Sequence, residues 1–331
     1  MAEKKHGRVT IVDVANMAGV SKSLASRALR GESGVSPENR ERVLAVAAEL
    51  NYHPSFAARA LRADTRVLGV VLNDIGNPHN TAIVAGIEAE ALAARHGVVL
   101  GNGAENPDKL GRVLNEMIEL GVNGIIIVSS WVRKHDLERV GATVPTCVVA
   151  RYDSLPDTID SVTLDDVEGG RRACEHLLSV GARKIAYVTR SASATSRARE
   201  RGVREVTMAA GIELATHHLA LWDSGQIREI IRSGGYDGIV ANNDMAAAEV
   251  LRAAADERIR VPADLAVIGY DDTTMARVLS PTLSSIAQPQ ERMGRRAVEL
   301  VMSRIDGRSE PIRAMFEPEL VVRRSTMEPR T

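Results

Sequence analysis

Cysteine is nearly absent. The 331-residue chain has two, Cys147 and Cys174, set in apolar or helical stretches. That number cannot build a disulfide framework or a cysteine-rich metal site, so both are expected as buried free thiols in a reducing cytoplasm, with no metal site. Long apolar runs are missing too. No stretch of about 18 apolar residues occurs, so no membrane-spanning helix is expected. The opening MAEKKHGR is basic but has no apolar stretch behind it, which is not the form of a secretory signal. Phosphate-loop, GxGxxG, GxSxG and His-Glu-x-x-His patterns are absent, and Gly101-Asn102-Gly103 is too incomplete to hold a dinucleotide. Asp165-Asp166 and Asp271-Asp272 look like carboxylate pairs, but neighbours on a strand face opposite ways and rarely share one proton or metal. An enzyme is therefore not expected, nor is a cofactor.

Hydrophobic residues make up 44% of the chain, enough for a substantial core, and its length suits two or three domains. Net charge is −1 but unevenly spread. Residues 1–66 hold 11 Lys+Arg against 7 Asp+Glu, and the remainder 31 against 36. A basic head on an acidic body suits a protein that presents one end to phosphates.

That head has a helical signature. In TIVDVANMAGVSKSLASRAL, Thr10–Leu29, two short amphipathic patterns flank Ala18-Gly19-Val20-Ser21. Thr10 caps the first, with Asp13 three residues on as a capping box; Gly19 supplies the turn and Ser21 caps the second. Ile11, Val14, Ala15 and Ala18 recur at helical spacing, as do Leu24, Ala25 and Ala28. Helices this short need a third, and one follows at Ser36-Pro37 with Val43, Leu44, Val46, Ala47 and Leu50 along one face. Such a unit can lay its second helix in a major groove, with Lys22 and Ser23 at the start reaching base edges and Arg27, one turn on, reaching a base or a phosphate. Pro54 ends the third helix, and Ser55 caps a short helix through Arg62.

Together, Asp13-Val14-Ala15, Ala18-Gly19-Val20-Ser21, Ser26-Arg27, Val35-Ser36, Arg40 with Val43, Tyr52 with Pro54, and Ala58-Arg59 with Leu61 resemble the LacI/GalR family of bacterial transcription repressors. Three residues depart from its pattern: Leu24 and Asn39 stand where threonine is frequent, and Ser55 where asparagine is. The resemblance implies that Thr10, Ser21, Lys22, Ser23, Ser26, Arg27, Tyr52, Ser55, Ala58 and Leu61 face DNA, with Leu61 wedged into the minor groove. It also implies a homodimer on a pseudopalindromic operator, and no leucine-heptad tail follows the last expected strand.

Beyond Val67, apolar runs alternate with helical patterns. The runs are 67–73, 97–102, 124–129, 146–150, 161–165, 184–189, 237–242 and 265–270. Between several lie amphipathic stretches such as Ala82–Ala94, Leu110–Leu120 and Glu168–Val180; a helix around Met293–Ile305 and a last strand near Leu320 follow. Continuous apolar strands with helices between them mean parallel sheets covered on both faces. The expected fold is therefore α/β: a three-helix helix-turn-helix head (1–53), a hinge helix and linker (54–66), and a two-lobed, periplasmic-binding-protein-like core (67–331). The lobes are expected at about 67–160 with 289–316, and 161–288 with 317–331.

Ligands of open parallel sheets sit outside the carboxyl ends of the strands. After the first strand come Asn73-Asp74 and Asn77-Pro78-His79-Asn80, where the family usually has two aromatics after Asn-Pro. His79 is a ligand contact or simply a residue of the helix-start loop. The resemblance carries a family arginine onto Arg151 and the effector-binding arginine onto Arg199, with Arg197 and Arg201 as rivals. It carries an Asn-Asp pair onto Asn243-Asp244, with Asn242 the rival if the register slips by one. Asp271 and Gln288 complete the set, while Ala287 replaces an arginine and Glu249 a glycine. Trp222 is either a cover for a sugar's apolar face or a surface anchor, and Trp131 a loop or interface residue. Arginine, asparagine, aspartate and glutamine converging on one cleft suit a polyhydroxyl ligand. The expected function is transcription regulation, most often repression, by a small polar effector such as a sugar. The alternative is a cytoplasmic solute-binding protein of the same core fold without gene control.

Overall fold

The computed structural model describes residues 9–29, 31–52, 66–219 and 224–327. The chain divides into two compact units, one through Thr65 and one from Arg66 onward.

Among its described residues the first unit holds three helices: α1 (Ile11–Met17), α2 (Lys22–Leu29) and α3 (Pro37–Glu49). Thr10 and Asp13 form the reciprocal capping box at α1. Gly19 turns the chain at φ +65°, a left-handed conformation that costs glycine little. The Ser21 hydroxyl accepts from the Leu24 amide at 3.2 Å and starts α2; Ser36, followed by Pro37, starts α3. Val14, Ala15, Ala18, Ala25, Ala28, Val43, Val46 and Ala47 form the core. Leu44, expected on the inner face, is 47% exposed. The buried stripe of α3 is Val43, Val46 and Ala47, with Leu50 packed against the same core at its end.

The second unit is built on two six-stranded sheets. The first has the order β11-β5-β4-β3-β1-β2, from β1 (Val67–Leu72), β2 (Gly97–Asn102), β3 (Gly124–Val128), β4 (Thr146–Val149), β5 (Ile159–Leu164) and β11 (Arg313–Phe316). All its pairings are parallel. α4 (Pro78–Ala93), α5 (Pro107–Glu119), α6 (Lys134–Thr143) and α12 (Gln290–Ile305) belong to it. The second sheet has the order β12-β10-β9-β8-β6-β7, from β6 (Ile185–Thr189), β7 (Ala215–His218), β8 (Gly238–Ala241), β9 (Ala266–Asp271), β10 (Ser284–Ala287) and β12 (Glu319–Val321). Only β12 runs antiparallel, against β10. Its helices are α7 (Asp166–Ser179), α8 (Ala194–Ala209), α9 (Ser224–Gly234), α10 (Asp244–Asp256) and α11 (Thr274–Val278). Each sheet has a core on both faces, as the near-continuous apolar strands require.

The structure moves the expected lobe boundary. The sequence pattern places residues 161–165 in the second lobe, but β5 pairs with β4 and β11 in the first sheet, so the first crossover follows Leu164. Three strands were not anticipated. β7 reads Ala-Thr-His-His, an edge strand with little apolar character. β10 carries two fully buried serines, and their hydroxyls are taken up by Asp244, Thr326 and the Arg323 carbonyl. β11 closes the first sheet as an edge strand with alternating exposure. Among the described residues no helix is long and apolar enough to cross a membrane.

In each lobe one helix pair crosses backbone to backbone. A Cβ on Gly86 of α4 would stand 2.1 Å from the Glu291 carbonyl, and one on Gly294 of α12 2.2 Å from the Ile83 carbonyl. The same exchange joins α7 and α8, where Gly170 faces the Arg199 carbonyl and Gly202 the Val167 carbonyl at 2.1 and 2.0 Å.

Candidate functional site

The head presents its polar groups along the start of α2. Ser21, Lys22 and Ser23 are exposed, and the Ser21 and Ser23 hydroxyls lie 3.1 Å apart. Thr10 is exposed at the start of α1, although its hydroxyl is engaged with Asp13 at 2.7 Å. Arg27 is exposed but anchored. Its guanidinium donates to the Ser33 carbonyl at 2.6 Å, while Arg40 donates to the Glu32 carbonyl at 2.6 Å. The two arginines thus hold the loop between α2 and α3. Ser26, expected to face DNA, is 6% exposed and packed into the head, because it sits on the inner side of α2 between Ala25 and Ala28. Tyr52 is half-buried against the same core. Ser55, Ala58 and Leu61 lie outside the described residues, as does Trp222 of the expected effector set.

The second unit has a cleft of about 1040 Å³, counting its open mouth, at the carboxyl ends of the strands of both sheets. Asp74, His79, Arg151, Arg199, Asn243, Asp271 and Gln288 all line it. Of the three candidate arginines, Arg199 points inward and is buried; Arg197 meets Asp153 at 2.5 Å and Arg201 is exposed. The Arg199 guanidinium lies 3.7 Å from the centre of the Tyr270 ring. It donates to Asp166 at 3.0 Å and to the Asn242 carbonyl at 2.6 Å, and it lies 3.7 Å from Asp271. Burial opposes its charge, but Asp166 leads the groups that outweigh burial and raise its pKa above the ordinary arginine value.

Asp271 ends β9 with φ +105°, a left-handed conformation that aspartate adopts more readily than most residues. Its carboxylate accepts from the Gln288 amide at 2.6 Å. Asp272 turns away, to Arg323 at 2.6 Å. The Asp244 carboxylate, at the start of α10, accepts from the Thr273 amide (2.7 Å) and the Ser285 hydroxyl (2.6 Å). Burial pushes both carboxyls up, and the charge of Asp271 adds to the rise at Asp244.

His79 lies in the first turn of α4, on the opposite lobe. Its Nδ1 stands 3.7 Å from an Asp271 oxygen, too far for a hydrogen bond, and has no other partner. Burial, and then the nearby Arg199, lower its pKa to about 3, so the ring is neutral. Asn80 donates to the Asp74 carbonyl at 2.7 Å, and the Asp74 side chain accepts from the Gly76 amide at 2.9 Å. Both residues of the asparagine pair line the cleft. The Asn243 side chain caps α10, whereas Asn242 accepts from Arg199 through its carbonyl and from Tyr187 through its side chain.

Asp166, Glu105 and Arg190 also line the cleft, outside the expected effector set. Asp166 bridges Arg151, at 3.3 Å, and Arg199. Glu105 pairs with Arg190 from lobe to lobe, and Tyr270 carries the Arg199 guanidinium. Trp131, expected as a loop or interface residue, also lines the cleft. Asp166 directly follows the expected 161–165 run, within reach of the strand-end rule.

A helix-turn-helix head and a polar cleft between two largely parallel sheets define a DNA-binding regulator that responds to a small ligand. Residues 10–55 match the pattern of "Bacterial regulatory proteins, lacI family", and residues 174–326 that of a "Periplasmic binding protein-like domain". The "HTH-type transcriptional regulator CelR" of Thermobifida fusca is 33% identical over 97% of this chain and 99% of its own. A lac repressor dimer solved with operator and the anti-inducer ONPF superposes with a TM-score of 0.80 at 26% identity, covering 97% of this chain and all of that one. A CelR–cellobiose complex does so with a TM-score of 0.71 at 29% identity, over 96% of this chain and all of its own. The chain belongs to the lacI family of bacterial regulatory proteins, and the relatives it resembles are transcription regulators rather than enzymes.

Proposed function

We propose that this regulator binds a pseudopalindromic operator as a homodimer in the cytoplasm, most often as a repressor. A sugar or sugar derivative held between the two lobes sets its operator affinity. One observation carries the reading: groups from both lobes converge on one cleft, with Asp74, His79 and Arg151 on one side and Arg199, Asn243, Asp271 and Gln288 on the other. A ligand shifts a two-state protein only by its difference in affinity for the states, and contacts from both lobes supply that difference as the lobes close. Closure would respace the two heads of a dimer against fixed half-sites, with a coupling of about 1–3 kcal/mol. A cellobiose complex and an operator complex among the similar structures support the two halves of this reading.

The test is operator binding by fluorescence anisotropy, on sites selected from genomic fragments, with and without each member of a panel of sugars and nucleosides. A shift in operator affinity with one panel member is expected. A chain that binds a sugar yet recognises no DNA sequence would instead be the solute-binding protein. The capped head, with Lys22 and Ser23 exposed on α2, speaks against that alternative.

A further inference from the structure

The cleft arginines are already engaged. Arg151, at the end of β4, and Arg199, on α8, come from opposite lobes, and both direct Nε at the carboxylate of Asp166, at 3.3 and 3.0 Å. Asp166 is 2% exposed, so this triad sits where water screens little. Arg199 also faces Asp271 at 3.7 Å, and the third arginine, Arg190, pairs with Glu105. Asp74, also in the lining, forms no ion pair among the described contacts. Three arginines thus face four carboxylates around the cleft, and His79 adds no charge. An anionic ligand would have to displace a buried carboxylate from its partners or stand uncompensated beside it, and both are unfavourable in a desolvated site.

We infer that Asp166 sets the charge preference of the cleft, neutralising Arg151 and Arg199 together so that the effector is an uncharged polyhydroxyl molecule rather than a sugar phosphate or sugar acid. The inference rests on the effector reading above and narrows it. Without that carboxylate, two guanidinium groups from opposite lobes would converge on one point. That is the geometry of a phosphate or carboxylate clamp. The polar partners left for a neutral ligand include the unpaired Nδ1 of His79 and the unpaired side-chain oxygen of Asn73.

Two measurements on the full-length protein test this. In the first, inorganic phosphate is titrated against wild type and Asp166→Asn at constant ionic strength, by calorimetry. The head is identical in both, so phosphate held there cancels in the comparison. Asp166→Asn is expected to bind phosphate roughly tenfold or more tightly than wild type. Equal affinity in a variant with wild-type circular dichroism overturns the inference. In the second, wild type alone is screened against matched pairs, such as glucose with glucose 6-phosphate and with glucuronate. This arm decides the matter even if the variant does not fold. The neutral member should bind more tightly in each pair that binds, and a preference for an anionic member overturns the inference. If no sugar in either form binds, the sugar reading of the effector fails, while the phosphate comparison still decides the role of Asp166.

Discussion

Replacing His79 by glutamine should change how the core's stability depends on pH. The neutral ring is held with a folded pKa of about 3, against an ordinary value of 6.5. A folded pKa below the unfolded one means that the fold excludes the proton. The associated stability is therefore complete above pH 6.5 and is lost as pH falls from there toward 3. At pH 5 an unfolded histidine is almost fully protonated and the folded one almost fully neutral, so the loss is about 2 kcal/mol relative to pH 7.5. Asp244 and Asp271 work against this trend. Their folded pKa values are raised, so their contribution is greatest at low pH and falls as pH rises through those values. The comparison with His79→Gln follows the histidine, since both proteins carry the two carboxyls. Urea unfolding followed by tryptophan fluorescence reads the core alone, because both tryptophans, Trp131 and Trp222, lie beyond the head. The stability of wild type relative to the variant should fall by about 2 kcal/mol between pH 7.5 and pH 5. A difference that stays constant to within about 0.5 kcal/mol would show that the ring is not held neutral by the fold.

Three further outcomes follow from the same geometry. Lys22→Ala and Ser23→Ala should each change which half-site bases are preferred, by about 1–3 kcal/mol per good contact, read by binding to a library of operator variants; an unchanged base preference in both would place base readout elsewhere. Asp271→Asn, which keeps a side chain suited to the left-handed backbone while removing the charge, should abolish the effector's influence on operator binding and leave operator affinity near wild type; full effector sensitivity in anisotropy titrations would remove Asp271 from the site. Gly202→Ala must push α8 away from the Val167 carbonyl, so it should cost about 1–3 kcal/mol in urea unfolding and weaken ligand binding through displacement of Arg199, whereas wild-type stability would mean the crossing is looser than 2.0 Å implies.

Much of this was legible in the sequence, for identifiable reasons. Continuous apolar runs such as GIIIV and VLGVVL, repeated between amphipathic stretches, mark parallel strands buried on both faces, and Asn-Pro at Asn77 and Asn106 marks two helix starts. The head was readable because its caps are local: Thr10 with Asp13, Ser21, and Ser36 with Pro37 each act within three residues. What escaped depends on distant partners. β10 hides as Ser-Ser-Ile-Ala because its two serines are satisfied by Asp244 and by residues near the end of the chain. Asp166 reads as half of an acidic pair on a strand until the fold places it as the first residue of α7, between arginines more than ten residues away on either side. Ser26 shows the converse. A motif position pointed to DNA, and the helix geometry turns that side chain inward.

The chain crosses between the lobes after β5, after β10 and after β11, and this has a consequence for synthesis on the ribosome. The first sheet is finished by β11, and one face of it is covered by α12, whose Met293, Ala297, Val298, Leu300 and Val301 fill the core over Leu68, Val70 and Ile126. Residues 290–316 must therefore emerge before the N-terminal lobe can close its core. By then every strand of the C-terminal lobe except β12 has already been made. Domains usually fold in the order of synthesis. Here the lobe that begins first must wait almost until the end, so the two lobes mature together and a nascent chain stopped near residue 289 contains neither of them complete.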